Sequence, residues 1–134
     1  MPASGSETIP IARSEDIVLV RQRVRQWAVD TAFSLVDQTK LVTAASELAR
    51  NTLQYGGGGH AVIEAIVNGA RRGVRVTFED EGPGIPDVEK ALRDGFTTGN
   101  GLGLGLSGAK RLSNEFQLQS TPGQGTRVVI VRWK

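Results

Sequence analysis

Four consecutive glycines, Gly56–Gly59, separate a stretch of helical periodicity from a stretch of strand-like residues. Ahead of them, Ile17, Val20, Val24, Trp27 and Ala28 recur at intervals of three and four, which predicts a helix from Ser14. Ser14, with Glu15 and Asp16 in the first turn, is the expected cap. A second helix opens at the capping-box-like Ser34-Leu-Val-Asp37 and runs to about Tyr55. The glycines end it, because a run of them costs too much backbone entropy to stay helical. Two strands follow, Ala61–Val67 and Val74–Glu79, both rich in branched residues and joined by Asn68-Gly69-Ala-Arg-Arg-Gly73.

The remaining segments complete the order. Glu7–Ala12 is an edge-strand candidate weakened by Pro10, after a loose tail over residues 1–6. Pro86–Leu92 is a short helix and Leu102–Asn114 a third main helix. Phe116–Thr121 and Thr126–Trp133 form a final strand pair around Pro122-Gly-Gln-Gly125. Hairpins and helices segregated in this way predict an α+β sandwich, one mostly antiparallel sheet with helices on a single face. The opposite face is expected to expose Arg75 and Thr77.

At 134 residues this is one domain, residues 7–134. With no cysteine, neither a disulfide nor a thiolate metal site can form. No run of 18 apolar residues exists and the N-terminus lacks the basic and apolar parts of a signal peptide, so a cytoplasmic protein away from membranes is expected. A formal charge of +2, with its signs dispersed, argues against nucleic acid as a partner.

Three segments carry chemistry. Val74, Val76, Phe78 and Asp80 share the inward side of a strand, so Asp80 ends an apolar row. A carboxylate there needs a hydrogen-bonding partner. Beside the bare backbone of Gly82 and Gly84 it suits the exocyclic amine of adenine, although an Asp-x-Gly turn also ends strands this way. Next, glycines at 99, 101, 103 and 105 lead into the helical Leu106, Ala109 and Leu112, and free N–H groups at a helix start favour anions. No Gly-Lys-Ser/Thr follows, so this is not a Walker motif; the other reading is a hinge loop. Finally, Glu47 and Asn51 stand at i and i+4 on one helix face. The Asn51 amide oxygen suits Mg²⁺ and the Glu47 carboxylate can orient or deprotonate a hydroxyl, unless the pair is merely solvated.

Taken in order, these segments resemble the GHKL ATPase superfamily. The matching boxes are Glu47-Leu-Ala-Arg-Asn51, Asp80-Glu-Gly-Pro-Gly84 and Gly101-Leu-Gly-Leu-Gly105, with Gly123-Gln-Gly125-Thr126 as a fourth. Within it, Ala45–Asn51, Glu79–Pro86 and Asp94-Gly-Phe-Thr-Thr98 are most similar to the RsbT-type switch-protein serine kinases. The resemblance implies a Bergerat fold, ATP with Mg²⁺, and transfer of the γ-phosphate to a serine of a STAS-domain protein. It further implies a PP2C-type, metal-dependent phosphatase as second partner, within a stressosome or partner-switching pathway.

Residue by residue, the resemblance implies Mg²⁺ on Asn51 and the adenine amine on Asp80. Gly82 and Gly84 would shape the base pocket, with Thr126 supporting the base. The backbone of Gly101, Leu102, Gly103, Leu104, Gly105 and Leu106 would cradle the phosphates, Thr97 and Thr98 would lie in a lid, and Glu47 would be the general base. Arg50 and Lys110 are candidates for γ-phosphate or partner contacts, and the reading preferred for each is a solvated helix charge. The rival resemblance is to RsbW/SpoIIAB-like anti-sigma factors, whose box tends to continue to a His where this chain has Tyr55.

Overall fold

The computed structural model describes residues 5–85, 87–92 and 106–134. Its frame is a five-stranded sheet in the order β1-β2-β3-β5-β4, every pairing antiparallel. The strands are β1 (Ser6–Ile11), β2 (Gly59–Asn68), β3 (Arg71–Asp80), β4 (Glu115–Thr121) and β5 (Gly125–Trp133). Helices α1 (Ser14–Asp30) and α2 (Leu35–Gln54) connect β1 to β2, and α3 (Val88–Ala91) and α4 (Leu106–Arg111) lie between β3 and β4. This is the expected α+β sandwich, with no parallel pairing among the described residues. Pro10 sits in β1 at the sheet edge, where a missing N–H breaks no central ladder.

One core lies between the helices and one sheet face. Ile9, Ile11, Ala61, Ile63, Val74, Val76, Phe78, Val128 and Ile130 project from the strands, and Val20, Val24, Leu41, Ala45 and Leu48 from α1 and α2; all are buried. The hairpin strands β2 and β3 extend beyond the predicted spans at both ends, since their pairing continues from Gly59↔Asp80 to Asn68↔Arg71.

Three expectations are corrected. The α1 N-cap is Arg13, not Ser14. The first turn is closed instead by Asp16, whose Oδ2 accepts the Ala12 and Arg13 N–H groups at 2.8 and 3.0 Å. The third main helix ends at Arg111 rather than Asn114, because the Asn114 N–H is drawn to the Val131 carbonyl at 2.8 Å, ahead of β4; Leu102–Gly105 lie outside the described residues. Thr77 is buried, at 6% exposure, although no helix covers its face. Its short side chain stands in a central strand between Val62 and Val129, beside the longer Arg75 and Glu79. By contrast the Ser34 cap is as expected, its Oγ accepting the Asp37 N–H at 3.1 Å.

Candidate nucleotide site

Two ladders bring the site together. Register pairs Asp80 with Thr126 and Phe78 with Val128, so the end of β3 meets the start of β5. The C-terminal turns of α2 lie over that junction, contributing Leu48, Asn51, Thr52 and Tyr55 to one cavity. Gly84 and Ile85 close it from the loop after β3, and Leu106 from the start of α4.

Asp80 is half-buried at the cavity wall. Burial, which disfavours the charged form, pushes its carboxyl above the ordinary value; N–H groups of Gly82 and Thr126 partly offset this. The Gly82 N–H reaches Oδ1 at 2.9 Å. Gly56 packs flat against the same carboxylate, since a Cβ on it would overlap the Asp80 side chain. A Cβ on Gly82 would in turn lie 2.7 Å from Gly56 Cα. Glycines on both sides therefore let an acceptor-only group stand at the wall of a cavity lined by Leu48, Phe78, Ile85 and Val128. An acceptor in an apolar wall fits a flat base presenting an amine. Gly84 has φ of +79° and a Cβ there would meet the Thr121 carbonyl at 2.6 Å, so only glycine holds this turn unstrained.

Of the residues singled out in the sequence, Asn51, Asp80, Gly84, Leu106 and Thr126 line the cavity, and Gly82 stands behind Asp80. Glu47 does not line it. It lies one turn back along α2, half-buried, with Arg50 Nη1 2.8 Å from its Oε1. Such a pair of partly exposed side chains contributes little stability. Lys110 is exposed on α4. Thr97, Thr98, Gly101, Leu102, Gly103, Leu104 and Gly105 lie outside the described residues. From sequence Gly56 reads only as a helix stop; a run longer than a stop requires is the available signal. Ser120 had no signal at all.

Residues 36–134 match the family of histidine kinase-, DNA gyrase B- and HSP90-like ATPases, and the chain belongs to that family. Within it the chain groups with the RsbT-like serine/threonine-protein kinases. It is 47% identical to the serine/threonine-protein kinase RsbT of Bacillus subtilis (strain 168), over 88% of this chain and 89% of that one. It is 29% identical to the anti-sigma F factor of Thermoanaerobacter sp. (strain X514), over 92% and 89% respectively. Among solved structures, the RsbU and RsbW domains of Rv1364c from Mycobacterium tuberculosis superpose with a TM-score of 0.67 at 19% identity. That match covers 98% of this chain but only 33% of the other. The mycobacterial sensor histidine kinase MprB gives a TM-score of 0.56 at 19% identity, covering 96% and 97%. Both share the fold.

Proposed function

We propose that this protein is a serine kinase of a partner-switching pathway. It takes ATP with Mg²⁺, phosphorylates a serine of a STAS-domain antagonist, and when released binds and activates a PP2C-type phosphatase. The observation that carries the reading is the half-buried Asp80 at the wall of an apolar cavity, with Asn51 on the facing helix.

In this reading Asp80 accepts the adenine amine, and Gly82 and Gly84 keep backbone close to the base. Thr126 supports the base from β5, and Asn51 offers its amide oxygen to Mg²⁺. ATP supplies the γ-phosphoryl group, and Mg²⁺ the charge that neutralises the phosphate oxygens. The backbone of Gly101–Leu106 is assigned to the phosphates, and Thr97 and Thr98 to the nucleotide as well; all of these but Leu106 lie outside the described residues. Glu47 accepts the proton of the attacking serine hydroxyl or orients it. Phosphoryl transfer rests mainly on positioning and charge stabilisation, so one carboxylate suffices. Residues 7–134 act as a single domain in the cytoplasm, in stressosome-type signalling; no helix of the described residues is long and apolar enough to cross a membrane.

The test is transfer of phosphate from Mg-ATP to a purified STAS-domain protein. Glu47→Ala is expected to abolish transfer while retaining ATP binding, and undiminished transfer would remove Glu47 from the mechanism. The anti-sigma relatives favour a second reading, in which the kinase sequesters a sigma factor. Capture of a sigma factor from cells, without a STAS protein or phosphatase, would select it.

A further inference from the structure

Ser120 belongs to none of the boxes, yet it joins the loop after β3 to β5. Its position in β4 is opposite Thr126. The Ile85 N–H donates to Ser120 Oγ at 2.6 Å. Ser120 Oγ also lies 2.9 Å from Thr126 Oγ1 and 3.3 Å from the Gly125 carbonyl. Ile85 is buried, so its N–H has need of this partner. A further bond, from the Gly123 N–H to the Pro83 carbonyl at 2.8 Å, stitches the same loop to the β4–β5 turn.

A hydroxyl has a single proton and two lone pairs. Ile85 occupies one lone pair of Ser120, leaving its proton to go to Gly125 or to Thr126 and its second lone pair open to a Thr126 donor. O–H···O bonds span about 2.5–3.0 Å, so the Thr126 contact qualifies and the Gly125 contact is too long. With Ser120 donating along this shorter contact, Thr126 would accept from it and keep its own proton to offer into the cavity it lines. The cavity thus presents a donor at Thr126 and an acceptor at Asp80, two residues paired across β3 and β5. Adenine carries an amine beside a ring nitrogen that accepts, while guanine carries a carbonyl beside an N–H.

We propose that Ser120 is a positioning residue that sets nucleotide specificity: it holds the loop at Ile85 and orients Thr126 as a donor to the base. This rests on the ATP reading above.

The experiment measures ATP and GTP affinities by calorimetry, and amide exchange at Ile85, for the intact chain and its variants. Ser120→Ala is expected to weaken ATP about tenfold, the effect of one hydrogen bond, with GTP affected less. Exchange at Ile85 should accelerate. Ser120→Thr restores both, and adding Ser120→Ala to Thr126→Val should lower the ATP-to-GTP ratio no further than Thr126→Val does alone. An unchanged ATP-to-GTP ratio, or additive losses, overturns the inference. If the alanine variant unfolds, the near-isosteric Ser120→Cys, a weaker donor, decides: a wild-type ratio overturns the inference and a reduced one supports it. Wild-type protein that binds neither nucleotide would instead refute the ATP reading, and with it Thr126's role toward the base. Exchange at Ile85 then still decides whether Ser120 holds the loop.

Discussion

Gly56 and Gly57 are neighbours in one glycine run, but the structure gives them opposite reasons for lacking a side chain. A Cβ on Gly56 would lie 2.5 Å from Asp80 Oδ2 and closer still to Cγ, where unstrained carbon contacts need about 3.5 Å. Gly57 has φ of +73° and nothing within 4 Å of a would-be Cβ. Gly56→Ala should therefore displace the carboxylate from its bond to the Gly82 N–H. Losing one charge-assisted hydrogen bond to the base costs about 1.5–3 kcal/mol, or roughly 10–100-fold in ATP affinity. Gly57→Ala meets only backbone strain, about 1–2 kcal/mol, which for a chain of this size lowers Tm by roughly 3–7 °C. Calorimetric titration with Mg-ATP beside thermal unfolding separates the two. Gly56→Ala should lose affinity and Gly57→Ala stability. Equal loss of ATP in both, or wild-type binding by Gly56→Ala, would refute the steric account of how Asp80 is held.

Two further variants test the electrostatics. Burial raises the Asp80 pKa, so its contribution to stability is fully present below the unfolded value of about 3.9 and is lost as pH rises through its folded value. Asp80→Asn should consequently be more stable than wild type in urea at pH 7, with the gap closing near pH 4, while binding ATP more weakly and losing less for GTP; destabilisation at pH 7 would contradict the burial argument. At the opposite end of the sheet, Arg132 donates to Asp37 Oδ1 at 2.8 Å and to the Leu112 carbonyl at 2.7 Å. Arg132→Met should cost about 2–4 kcal/mol, and Asp37→Asn added to it little more. The Arg132 hydrogen bond is the main cause lowering the Asp37 pKa, so this coupling holds above about pH 4 and fades as pH falls through Asp37's folded value. Additive losses in a double-mutant cycle at pH 7 would show that the two do not act as a pair.

Periodicity made the fold legible where one face of an element is buried. Val74, Val76 and Phe78 alternate into the core as expected, and Asp80 ends their row. The reading failed where the deciding contact comes from elsewhere in the chain. Ser14 is the exception: the deciding group is local, Asp16 two residues on, which reaches back to the N–H groups of Ala12 and Arg13 and moves the cap to Arg13. Thr77 looked like an exposed residue because its burial depends on cross-strand neighbours rather than on a covering layer. The site divides in the same way. Asn51, Asp80, Gly84 and Thr126 carry chemistry in their own side chains or turn geometry, so motifs reveal them. Gly56 and Ser120 act through what they touch, Asp80 in one case and Ile85 with Thr126 in the other. Contacts of that kind exist only once the sheet is assembled.

The distance of Glu47 from the cavity follows from α2. Its 20 residues span about 30 Å at 1.5 Å each, and the nine residues of β5 span about the same at 3.3 Å each. The ends of the helix are fixed to the sheet at different points. Asp37 is bound by Arg132 near the end of β5, and Gly56, just past the helix, packs on Asp80 opposite the start of β5. Between these anchors a residue's place along the sheet is set by its number. Asn51 falls at the cavity, and Glu47, four residues earlier, falls about 6 Å back along the helix axis. A carboxylate meant for the base would have to reach the cavity, as Asp80 does. Under the proposed function one meant for the reacting end of a long nucleotide would stand away from it, with Asn51 between. Under the proposed function Glu47 belongs away from the base, and the anchoring of α2 at Asp37 and beside Gly56 sets that separation.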